Sequence, residues 1–69
     1  MSKLFSSRKI VKILEENGFF FVSQKGSHGK FRKNGNKILT VIVPMERKEI
    51  PEGTFQSILR QSGLERSDF

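Results

Sequence analysis

The chain has no cysteine, tryptophan or tyrosine, one histidine and only two prolines among its 69 residues. Without cysteine there are no disulfides and no thiolate metal ligands, and one histidine with scattered acids offers no ligand spacing for zinc. No metal site and no cofactor are therefore expected. No run of about eighteen apolar residues exists to form a membrane-spanning helix, and the N-terminus lacks the apolar region of a signal peptide. The expected setting is soluble and cytoplasmic, with no membrane partner. Acids are missing from the middle of the chain: Asn17 to Met45 contains not one Asp or Glu, and all seven lie outside it. Internal repeats, linkers and low-complexity segments are absent too, so residues 1–69 read as a single small domain.

Basic charge fills that acid-free middle. Lys25, Lys30, Arg32, Lys33 and Lys37 all fall within it, and the chain carries a formal net charge of +6 with an isoelectric point near 10.2. A protein so charged is expected to meet an anionic ligand: nucleic acid, an acidic protein or a membrane surface. A solvated basic surface kept for solubility is the plainer alternative.

The order of elements follows from periodicity and punctuation. Ser6 and Ser7 offer capping hydroxyls to a helix in which Ile10, Val11, Ile13 and Leu14 fall within one arc, and Asn17-Gly18 ends it. Phe19 to Gln24 is aromatic and β-branched, which favours a strand, but it is apolar on both faces. At least one of its three phenylalanines then points away from the core, free to stack on a base or to cover a partner. Lys25-Gly26-Ser27 bends the chain into a second strand. Asn34-Gly35 signals a hairpin, with Lys37 to Val43 as the third strand. A two-residue turn there groups Phe31 with Ile38, Thr40 and Ile42, whereas a three-residue loop with a bulge groups it with Leu39, Val41 and Val43. The second set is wholly apolar and is preferred. Pro44 stops the strand, and Met45 to Gly53 reads as a polar connection. Thr54 is a candidate cap for a second helix bearing Phe55, Ile58 and Leu59, and Gly63 ends it with Leu64 in a Schellman contact. The predicted class is α+β, in the order α-β-β-β-α: a three-stranded antiparallel sheet with two helices packed on one face and the other face open. This is a double-stranded-RNA-binding-domain-like arrangement.

One stretch concentrates chemistry. If Ser27 to Lys33 run as a strand, His28, Lys30 and Arg32 share a face, while Gly29, Phe31 and Lys33 share the other. The row presents one titratable base and two fixed cations, pinned from behind by Phe31. Read alone, His28 also fits a structural histidine that packs at a strand start and satisfies a carbonyl.

Gly18-Phe19, Gln24-Lys25-Gly26-Ser27-His28, Lys30-Phe31-Arg32, Val43-Pro44, Glu49-Ile50, Gly53-Thr54 and Ile58-Leu59-Arg60-Gln61-Ser62-Gly63-Leu64 together resemble the HicA family of toxins from HicA–HicB toxin–antitoxin systems. The resemblance covers nearly the whole chain. It implies a ribosome-independent endoribonuclease acting on mRNA, neutralised by a HicB-type antitoxin that covers the active site. The family's catalytic histidine lies in its Gly-Ser-His motif, which falls on His28. Family members often carry a second histidine shortly after Val-Pro, whereas here Pro44 is followed by Met45-Glu46-Arg47-Lys48. A two-histidine acid–base scheme is thus not supplied by this chain.

RNA brings its own nucleophile, the 2′-hydroxyl, so an enzyme need only remove that proton, stabilise the phosphorane and protonate the leaving 5′-oxygen. An ordinary imidazole, titrating near about 6.5, suits the first task. Lys30 and Arg32 are candidates to hold the non-bridging oxygens, Lys25 and Lys33 to steer RNA, and Ser27 to donate to phosphate or simply shape the turn. A lysine, water or His28 in a later step remains open as the acid. The competing class is a module that binds RNA or an acidic protein without cutting. Against a duplex-binding module, the second helix begins Thr54-Phe55-Gln56-Ser57, without the lysines such domains place across a groove.

Overall fold

The computed structural model of the protein describes residues 4–69, so residues 1–3 of the expected domain lie outside the described residues. Helix α1 runs over Ser7–Glu16, strands β1, β2 and β3 over Phe20–Lys25, His28–Lys33 and Leu39–Pro44, and helix α2 over Glu52–Ser62, followed by a short 3-10 turn at Arg66–Asp68. The sheet is antiparallel in the order β1-β2-β3. Both helices pack against β3 on one side of it. This is the α-β-β-β-α arrangement of the double-stranded RNA-binding domain.

Burial explains why α1 forms where it does. Ile10 and Leu14 are fully buried, Ile13 nearly so, and the charged residues Arg8, Lys9 and Lys12 turn outward. Ser6 is the N-cap, its hydroxyl accepting the Lys9 N–H at 3.1 Å. Ser7 lies inside the helix and does something different. Its buried hydroxyl donates to the Pro44 carbonyl at 2.5 Å and accepts the Arg47 N–H at 3.0 Å, joining the first turn of α1 to the loop after β3. At the other end, the Gly18 N–H bonds the Glu15 carbonyl and the Phe19 N–H the Leu14 carbonyl. That is a Schellman motif, made possible by Gly18 at a φ of 92° and sealed by Phe19 entering the core.

The hairpins differ from each other. Gly26 and Ser27 alone join β1 to β2, with Lys25 paired to His28. Positive φ at Gly26 but not at Ser27 is the pattern of a type II′ turn. Between β2 and β3, Lys33 pairs with Leu39, so residues 34–38 form a longer loop. Neither Asn34 nor Gly35 takes a positive φ, and the loop is longer than both the two-residue turn and the preferred three-residue loop. The pairing of Phe31 with Val41 nevertheless puts Leu39, Val41 and Val43 on the Phe31 side, the apolar set preferred above. A tight turn would bury Thr40 and expose two valines, a larger penalty than closing a slightly longer loop.

Three further expectations are corrected. Pro51, not Thr54, precedes α2, and no side chain caps it. The supposedly polar connection delivers Ile50 to the core, where its N–H donates to the Phe5 carbonyl at 2.7 Å. Gly63 does end α2, at a φ of 74°, but with a single bond from its N–H to the Leu59 carbonyl rather than a Schellman pair. Phe69 folds back to stack edge-on against Phe55, with ring centroids 5.1 Å apart.

Strand β1 is set apart. Every one of its residues is exposed, because the helices lie over β3 and the middle of β2 and leave β1 overhanging. Phe21, on the helix side, is still 51% exposed and meets the buried Phe31 ring edge-on.

Candidate functional site

Strand pairing sorts the side chains between the two sheet faces. Gly29 and Phe31 of β2 are buried beneath the helices. Their neighbours His28, Lys30 and Arg32 therefore point to the face that no helix covers. Across the strands, His28 pairs with Lys25 and Pro44, Lys30 with Ser23 and Ile42, and Arg32 with Phe20 and Thr40. The open face thus carries Lys25, His28, Lys30 and Arg32, and none of the strands forming it contains an acid.

His28 heads β2 directly after the two-residue turn and is exposed, with no hydrogen bond to another described side chain. Its backbone is held tightly. The Met45 N–H donates to the Ser27 carbonyl at 2.6 Å, tying the turn to the exit of β3. Behind His28, a Cβ on Gly29 would lie 3.0 Å from the Met45 sulfur and 3.2 Å from the Phe31 ring. Glycine is what lets Met45 and Phe31 close over the back of the strand. Met45, the first residue after Pro44, is thus part of the packing behind the face.

The other candidates separate by position. Lys25 is the direct cross-strand partner of His28, Ser27 occupies the adjoining turn, and Lys30 follows two residues along the same face, about 6.6 Å away by strand geometry. Arg32 comes next, its Nε enclosed and without a hydrogen-bond partner among the described residues. Lys33 lies apart from the group. Its ammonium sits 5.9 Å from the centre of the Phe19 ring, and its stem lies against Gly18 on the helix side. Sequence reasoning left unplaced two apolar side chains that flank the cationic row, Phe20 and Ile42, although the triple phenylalanine hinted at the first. A surface depression lined by Leu4, Phe5, Ser6, Lys9, Lys48 and Phe69 takes in none of these strand residues. No three His, Cys, Asp or Glu side chains converge among the described residues.

A family model describing the HicA toxin of bacterial toxin–antitoxin systems matches residues 7–64, a span that includes both helices and the whole sheet. The chain belongs to the HicA toxin family. No curated protein matches it at a significant level. As a HicA toxin it is the toxin member of a toxin–antitoxin pair and has an antitoxin for a partner. The match stops short of Phe5 and Phe69, so the ring cluster these two form with Phe55 adds to the family's span from outside it. None of the described helices in this HicA chain is long and apolar enough to cross a membrane.

Proposed function

We propose that this HicA toxin is a metal-independent, ribosome-independent endoribonuclease that cuts mRNA in the cytoplasm and is neutralised by a HicB-type antitoxin seated over the open face of the sheet. One observation carries the reading: the sole histidine stands exposed on a helix-free, acid-free face, with Lys25 across from it and Lys30 and Arg32 in line beyond it.

In the proposed reaction, the neutral imidazole of His28 takes the proton of a 2′-hydroxyl, and the freed oxygen attacks the adjacent phosphorus. The bond to the 5′-oxygen of the next nucleotide breaks. The products are a 2′,3′-cyclic phosphate and a 5′-hydroxyl. Lys30 and the fork of Arg32 hold the non-bridging oxygens as charge builds on them. Lys25 brings the backbone to His28, Ser27 offers a hydroxyl at the turn, and Lys33 contributes only to the long-range field. No second imidazole stands nearby, so protonation of the leaving oxygen falls to a lysine, to water or to His28 in a later step.

The test is cleavage of single-stranded RNA by purified protein in EDTA, with the ends of the fragments mapped. His28→Ala should fold, still bind the antitoxin and lose about 100-fold or more of the cleavage rate. Cleavage that EDTA abolishes and a divalent ion restores contradicts the scheme. No described side chain hydrogen-bonds to His28 to orient it, which favours a second reading, a module that retains RNA without cutting it. Salt-sensitive retention with intact RNA is its signature.

A further inference from the structure

The exposed phenyl ring of Phe20 is not needed by the core, which Phe19 and Phe31 already fill from neighbouring positions. It stands 45% exposed on an overhanging strand, beside Arg32 and on the same face as His28. A distortion of the strand put it there. Phe20 and Lys25 are five residues apart, so in a regular strand they would face opposite sides. The register slips between Phe21 and Ser23, leaving Val22 without a partner, and this bulge brings both side chains onto the open face. Arg32, its cross-strand neighbour, has an enclosed Nε that bonds to none of the described residues.

We propose that Phe20 and Arg32 form a platform for one unpaired nucleobase of single-stranded RNA, the phenyl ring stacking on the base and the guanidinium lying beside it. The inference rests on the reading of RNA as the ligand of this face and adds where a base is gripped. Charge selects this occupant: the face offers cations and an aromatic ring and carries no acid. A base inside a duplex already has both faces stacked, so the ring is open only to single strands. Arg32 lies four residues from His28 along β2, about 13 Å at the usual rise per residue. The platform therefore grips a base away from the bond being cut, and governs which RNA is held and in what register.

The chain contains no tryptophan, so Phe20→Trp introduces a single fluorophore at the platform. In the non-cutting His28→Ala background, titration with oligoadenylate should quench its emission, while binding is followed independently by anisotropy of end-labelled RNA. Phe21→Trp, on the helix side of the same strand, should show little quenching. Phe20→Ala should weaken oligoadenylate binding about tenfold. RNA binding with unchanged Phe20→Trp emission overturns the platform and leaves the RNA reading standing. No RNA binding by either measure overturns both. Emission that responds to the antitoxin but not to bound RNA makes Phe20 a protein contact, and the platform is wrong.

Discussion

At the scale of single residues, the side chains that matter most to the site are not all on it. Ser7 is a small buried hydroxyl on the far side of the sheet, yet it satisfies both a carbonyl at the end of β3 and an N–H in the loop that carries Met45 over Gly29. Removing it leaves two part-buried backbone groups without that partner. Ser7→Ala is expected to lower the unfolding free energy by about 2–3 kcal/mol, measured by urea denaturation, against less than about 1 kcal/mol for an exposed serine such as Ser67. The sequence suggested both Ser6 and Ser7 as caps. It could not say that one would cap while the other tied two distant segments together, because that role depends on a loop some forty residues away.

At the scale of elements, turns and helix ends divide into those set locally and those set from a distance. Gly26 is local: its φ of +60° belongs to a two-residue hairpin, and a Cβ there meets no atom within 4 Å. The cost of Gly26→Ala is thus conformational, about 1 kcal/mol. Gly53, in the first turn of α2, has open space and ordinary φ, so Gly53→Ala should instead stabilise by about 0.5–1 kcal/mol. Thermal melts of the two variants should move in opposite directions. Helix α2 also carries Glu52, whose carboxyl a hydrogen bond from Gln56 and then the charge of Arg66 hold below its ordinary value, against some desolvation. A depressed carboxyl stabilises the fold above the unfolded-state value, near about 4.3, and that contribution disappears as pH falls through the folded value. The melting-temperature gap between wild type and Glu52→Gln should therefore be present at neutral pH and close in strong acid.

At the scale of the whole molecule, the two faces of the sheet have opposite characters. Helices and their acids lie on one side, and the other is a strip of cations flanked by Phe20 and Ile42. If Lys25, Lys30 and Arg32 each neutralise one phosphate, log–log plots of RNA affinity against salt should have a slope of about −2, and Lys30→Ala should reduce its magnitude by about 0.7. A slope near zero removes phosphate contact from the account. The overhang of β1 is also a property of the whole, since it depends on where two helices come to rest. Its bulge spoils the regular edge that a bare strand would otherwise present for pairing with another chain.

Much of the protein was written in local pattern. The apolar arc of α1, the glycine after each helix, the alternation in Lys30-Phe31-Arg32 and the acid-free middle were enough to give the element order, the face on which His28 stands and a family resemblance that the comparison upheld. These rest on spacing and backbone preference, which act over a few residues. Tertiary packing alone decided the rest. It lengthened the Asn34-Gly35 loop to five residues, drew Ile50 out of a polar stretch, turned Lys33 toward Phe19 and left β1 bare. Each of those outcomes compares the burial of segments far apart in the chain, and no local stretch of residues contains both sides of that comparison.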